Sequence, residues 1–121
     1  MARILLVSDD RENRKTSAEI LRIYIDDCHV TFASSLREMA AERRAEGFDV
    51  VIFDGMGRVG SDEAEKLFHG HEKQKVLIVS FDEENKRQKT PFLNRIDYAE
   101  LPNMVDHLIK TPYEVLIKAI G

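Results

Sequence analysis

The chain has one cysteine, Cys28, no tryptophan and three prolines in 121 residues. A lone cysteine excludes an intrachain disulfide and any multi-cysteine zinc or iron-sulfur site. Cys28 reads instead as a small buried hydrophobe at a helix end or strand start. Nowhere do the roughly 20 consecutive apolar residues that cross a bilayer occur, and Ser8-Asp9-Asp10 places acids where a signal peptide would still be apolar. No membrane association is expected, and the cytoplasm is the expected compartment. Positive charge is not in excess: 18 Lys and Arg against 22 Asp and Glu leave a formal −4, the reverse of the basic footprint of nucleic-acid binding. Repeats, low-complexity tracts and Gly/Ser linkers are missing too, so residues 1–121 are expected to form a single domain.

What is present is a globular mixture, 43% hydrophobic and 33% charged, enough for a packed core. Its pattern alternates. Ile4 to Val7 is a short apolar run stopped by Ser8-Asp9-Asp10, after which Ala18, Leu21 and Ile25 recur at helical spacing. Val30 to Ala33 is a second β-prone run; Ser34-Ser35 can cap a helix carrying Leu36, Met39 and Ala40, which Gly47 ends. Phe48 to Phe53 is a third run, broken by Asp54-Gly55-Met56-Gly57. Ser61 and Asp62 precede a further helical pattern in Ala64, Leu67 and Phe68, and Val76 to Val79 is a fourth apolar run closed by Ser80. Strands that need not alternate are buried on both faces, so the pattern predicts an α/β protein with a doubly wound parallel sheet.

Ligands of such sheets bind beyond the carboxyl ends of the strands, where strand order reverses. Asp9 and Asp10 follow the first strand and Asp54 the third. With those strands adjacent, the carboxylates share one pocket, and an oxygen-only cluster suits a hard cation such as Mg²⁺, which takes one or two carboxylates and keeps several waters. A carboxylate there can act as nucleophile toward a phosphoryl group. Taken singly, Asp9 and Asp10 are equally readable as caps of the first helix, Asp9 standing three before Glu12. Asp54-Gly55 alone is equally readable as a turn. His69 and His71, two apart, point different ways on a helix and read as surface residues.

Arg3-Ile-Leu-Leu-Val-Ser-Asp-Asp-Arg-Glu-Asn-Arg14, Asp49-Val-Val-Ile-Phe-Asp54 and Val76-Leu-Ile-Val-Ser80 resemble the first, third and fourth strand motifs of the CheY-like receiver domains of bacterial two-component response regulators. The resemblance spans essentially the whole chain and implies a flavodoxin-like, five-stranded sheet of order 2-1-3-4-5. It makes Asp54 the acceptor of a phosphoryl group from a histidine kinase or phosphotransfer protein, and Ser80 the hydroxyl that bonds the phosphoryl oxygen. Asp9, Asp54 and the Met56 carbonyl become the Mg²⁺ ligands. Ser8 stands where the family has its first acid, a departure that lowers metal affinity unless Asp10 reaches in. The implied role is a stand-alone receiver in phosphorelay signal transduction, acting on a downstream protein target, with no turnover activity beyond self-phosphorylation. The contrasting role is a phosphorylation-independent pseudo-receiver that serves as a protein-binding module.

The family's phosphate-binding lysine ends the fifth strand, and two registers compete for it. Reading His107-Leu-Ile-Lys-Thr-Pro-Tyr113 as that strand keeps Lys110 and makes Thr111-Pro-Tyr-Glu114 a capping box. Reading Asp97-Tyr-Ala-Glu-Leu-Pro102 as the strand puts Leu101 in place of the lysine. Val105, Leu108, Ile109, Leu116, Ala119 and Ile120 then keep helical phase, with Pro112 forcing a kink. The second register is preferred. Two other families share features but fit less well: haloacid-dehalogenase-type phosphatases need an aspartate where Met56 stands, and flavodoxin-type flavin binders need a phosphate loop after the first strand.

Overall fold

A computed structural model of the chain describes residues 1–54, 73–79 and 100–120. In order along the chain these form β1 (Ala2–Val7), α1 (Arg11–Tyr24), β2 (Cys28–Ala33), α2 (Leu36–Ala45), β3 (Val50–Asp54), β4 (Lys75–Val79), α3 (Leu101–Lys110) and α4 (Tyr113–Ile120). The strands make one parallel sheet of order β2-β1-β3-β4. This is the doubly wound order expected for the first four strands. Of the expected strand at 97–102, residues 97–99 lie outside the described residues, as does the helix expected around Ala64, Leu67 and Phe68.

The sheet direction follows from burial. Ile4, Leu5, Leu6 and Val7 of β1 are fully buried, as are Val50, Val51, Ile52 and Phe53 of β3. Such strands must be covered on both faces, which helices crossing between parallel strands supply. The chain steps from β1 out to β2, then back past β1 to β3. Right-handed crossovers therefore put α1 and α2 on opposite faces. α3 packs on α1 and β3, sharing the face of α1, and Leu101, Val105 and Leu108 join the core there.

The first two helices each start where a side chain satisfies backbone donors. Asp10, not Asp9, is the N-cap of α1; its carboxylate accepts from the backbone N–H groups of Glu12 (2.8 Å) and Asn13 (3.2 Å), satisfying two groups that have no partner inside the helix. Ser35 caps α2 by accepting from Glu38 N–H (3.2 Å), while the Glu38 carboxylate reaches back to the N–H and hydroxyl of Ser34 (2.7 and 2.8 Å). Cys28 opens β2 and is half-buried; loss of solvent pushes its thiol pKa up, with the Asp27 charge adding to this and Arg22 opposing it.

The tail corrects both registers in part. His107 to Lys110 belong to α3, so they are not a strand, and Lys110 pairs with Asp106 one turn back at 2.9 Å. Leu101 and Pro102, expected to close a strand, open α3 instead, where proline has no helical N–H to lose. Thr111 is extended (φ −101°, ψ 126°) and ends α3, its N–H bonded to His107 O at 3.0 Å. A residue before proline avoids the helical region, and Pro112 has no N–H to continue the ladder. The helical phase of the tail thus survives as two helices rather than one. Thr111 does not cap α4 in the expected way: its hydroxyl lies 3.4 Å from His107 Nδ1, and Pro112 O accepts from the N–H groups of Val115 and Leu116.

Candidate functional site at the carboxyl end of the sheet

β1 and β3 pair in register, with Val7 opposite Phe53. One residue further along, Ser8 and Asp54 stand on neighbouring strands, roughly 4.8 Å apart. Both are fully buried. Ser8 N–H still bonds Ala33 O at 3.0 Å, extending the β1–β2 ladder to the strand end. Its hydroxyl accepts from Asp10 N–H at 3.2 Å, which folds the chain over into α1. Asp10 Oδ1 accepts both cap bonds, which turns this carboxylate toward the start of α1. Asp9 and Asp10 are both exposed at the rim of the loop.

α1 runs back along the sheet and turns the stripe Arg14, Ser17, Ala18, Leu21 and Ile25 inward. Ser17 and Ala18 are buried beside β1 and β3. The Ser17 hydroxyl donates to Asp54 Oδ2 at 2.5 Å, a bond between two fully buried side chains 37 residues apart in sequence. One turn toward the helix start, Arg14 Nη1 donates to Ser8 O at 2.6 Å. The Arg14 charge also contributes to holding the Glu38 carboxyl below its ordinary range, after the Ser34 N–H and hydroxyl. The carboxyl ends of β1 and β3 thus carry a buried carboxylate, two buried hydroxyls and one half-buried guanidinium.

Neither Ser17 nor Arg14 stands out in the sequence as a candidate. The signal for Ser17 was its position: a hydroxyl inside an otherwise apolar helical stripe, where serine is at best neutral for the helix. Met56 and Ser80 lie outside the described residues, as do His69 and His71. Lys110 is elsewhere altogether. It lines a cavity of about 430 Å³ with Met1, Ala2, Asp27 and Asp106, at the amino end of β1 and so at the opposite end of the sheet from Asp54. Leu101, the alternative occupant of the lysine position, is fully buried in the core.

As donors for a hard cation, the described residues offer Asp9 and Asp54. No group of three or more His, Cys, Asp or Glu side chains converges among the described residues. Two carboxylates meet the least that Mg²⁺ asks for, since it retains several waters.

The parallel sheet of order β2-β1-β3-β4 with helices on both faces is a fold shared with solved receiver domains. Among solved structures, the signal receiver domain of a DNA-binding response regulator from Colwellia psychrerythraea 34H superposes with a TM-score of 0.68 at 14% identity, covering 92% of this chain and 100% of its own. The chemotaxis response regulator CheY4 of Vibrio cholerae gives 0.64 at 20% identity over 89% and 98%. A CheY-like receiver domain protein from Methanospirillum hungatei JF-1 gives 0.62 at 19% over 98% of both. No family model matches the chain, and no curated protein matches it in sequence. The likeness therefore lies in the fold, which is that of receiver domains. No helix among the described residues is long and apolar enough to cross a membrane.

Proposed function

We propose that the chain is a receiver that accepts a phosphoryl group on Asp54 from a histidine kinase or phosphotransfer protein and passes the signal on through contacts with a downstream protein. The observation that carries this reading is the place of Asp54, a carboxylate ending β3 next to the end of β1 in a receiver fold. In the transfer, a carboxylate oxygen of Asp54 forms the new P–O bond while the P–N bond of a phosphohistidine breaks, its electron pair staying on the imidazole. Asp9 and Asp54 would hold Mg²⁺, with the Met56 carbonyl as the third ligand that the resemblance implies. Bound there, Mg²⁺ supplies neutralisation of charge on the transferring oxygens. Ser80 is assigned the hydroxyl that bonds the phosphoryl oxygen.

The test is incubation with Mg²⁺ and acetyl phosphate followed by intact mass measurement, with Asp54→Asn as control. One added phosphoryl group, absent from the control, is expected. A second reading, a pseudo-receiver that binds partners without phosphorylation, draws support from the full burial of Asp54. No adduct, together with no measurable Mg²⁺ binding, would favour it.

A further inference from the structure

The described residues contain three fully buried polar side chains, Ser8, Ser17 and Asp54, and two of them are bonded to each other. Ser17 occupies a stripe that is otherwise apolar toward its C-terminal end, through Ala18, Leu21 and Ile25. A hydroxyl inside a helix has a local alternative, the carbonyl one turn back; here it donates instead across the sheet to Asp54 Oδ2. An ionised carboxylate only accepts, and a hydrogen bond to it is roughly twice as strong as one to a neutral acceptor.

That difference bears on any reaction that consumes the carboxylate. When Asp54 attacks acetyl phosphate, Oδ1 forms the new P–O bond, the P–O bond to acetate breaks, and the electron pair leaves with acetate. Oδ2 then becomes the carbonyl oxygen of a neutral acyl phosphate, and the Ser17 bond loses its charge assistance. Hydrolysis reverses this: water attacks phosphorus, the P–Oδ1 bond breaks with its electron pair restoring the carboxylate, inorganic phosphate departs carrying the water's oxygen and protons, and the Ser17 bond strengthens. Resting on the receiver reading given above, we propose that Ser17 is a positioning residue that biases Asp54 toward its unphosphorylated state, limiting how much acyl phosphate accumulates and shortening its life.

The experiment compares the full chain with Ser17→Ala and Ser17→Thr, in Mg²⁺ and acetyl phosphate, by intact mass over time. Ser17→Ala should raise the ratio of phosphorylated to free protein and lengthen the adduct half-life by roughly 3- to 10-fold. Ser17→Thr, which keeps the hydroxyl, should restore wild-type values. The ¹³Cγ resonance of Asp54 should move in Ser17→Ala and stay in place in Ser17→Thr. If Ser17→Ala does not fold, Ser17→Thr against Ser17→Val, which differ by hydroxyl for methyl, makes the same comparison. Equal adduct levels and half-lives with and without the hydroxyl would overturn the proposal and leave the receiver reading standing, as would a lower level in the variants that lack it. Absence of an adduct in every protein would overturn both.

Discussion

Arg14 Nη1 lies 2.6 Å from the carbonyl oxygen of Ser8, the residue that stands beside Asp54 on the neighbouring strand. A helix side chain thus terminates the strand that precedes its own helix, and the last carbonyl of that strand is satisfied by a cation. Removing the guanidinium leaves a part-buried carbonyl without this donor. Arg14→Ala should cost about 1.5–3 kcal/mol, the range for a hydrogen bond to a charged group. Arg14→Lys, without the planar fork, should recover only part of it. Urea unfolding midpoints of the three proteins check both statements.

Asp10 caps α1 through two backbone N–H groups. Asp10→Ala should therefore cost about 1 kcal/mol, and Asp10→Asn, equally able to accept, close to nothing. If Asp10 instead served as a metal ligand in solution, Asp10→Asn would weaken Mg²⁺ binding while leaving the urea midpoint unchanged, and titration with Mg²⁺ distinguishes the two.

Leu101 is fully buried at the first turn of α3. Leu101→Ala should destabilise by about 2–5 kcal/mol, as truncations of buried leucines do. Leu101→Lys should be worse still, because an ammonium cannot enter the core without a partner. A Leu101→Lys protein as stable as the wild type would mean that this position opens to solvent rather than into the core.

Glu38 accepts from the Ser34 N–H and hydroxyl, bonds made to the charged form, and these lower its pKa from an ordinary 4.5. Because the folded value lies below the unfolded one, the stability it contributes is present above about pH 4.5 and is lost as pH falls through the folded value. The stability difference between wild type and Glu38→Gln should be constant near neutrality and shrink below about pH 4.5. Unfolding midpoints measured from neutral pH into the acid range test this.

Cys28 follows Asp27, whose backbone is left-handed (φ 55°). Burial raises the thiol pKa most, the Asp27 charge adds to it, and Arg22 works against it. Since the thiolate is the reactive form, iodoacetamide should label Cys28 more slowly than a free cysteine at mildly alkaline pH. Asparagine tolerates the left-handed region, so Asp27→Asn should remove the charge without disturbing the turn and speed the labelling modestly. An unchanged rate would mean that the neighbouring charge is screened out.

The sheet was legible because its strands are unbroken apolar runs: Ile4 to Val7 and Val50 to Phe53 can be buried only between two layers of helix. The rim was less so. That Asp10 rather than Asp9 caps α1 depends on where the turn after Ser8 falls, and a one-residue shift exchanges the two acids. The hydroxyl of Ser17 within an apolar stripe was legible, but its partner was not, being 37 residues away and brought close only by the fold. In the tail, apolar periodicity placed Val105, Leu108 and Leu116 on helices, while the break came from the conformational bar that Pro112 imposes on Thr111. Period alone does not show whether such a bar kinks one helix or makes two.

The break at Thr111–Pro112 also separates two levels of mechanical security. Leu101, Val105 and Leu108 anchor α3 in the core, whereas α4 is held among its described side chains by buried Leu116, part-buried Tyr113 and the exposed Glu114–Lys73 pair. With no ladder running through Pro112, α4 can peel away without unzipping α3. In amide exchange the last eight residues of helix should open as their own unit, so that damage or cleavage at the C-terminal end stays local and does not reach the strands that hold Asp54.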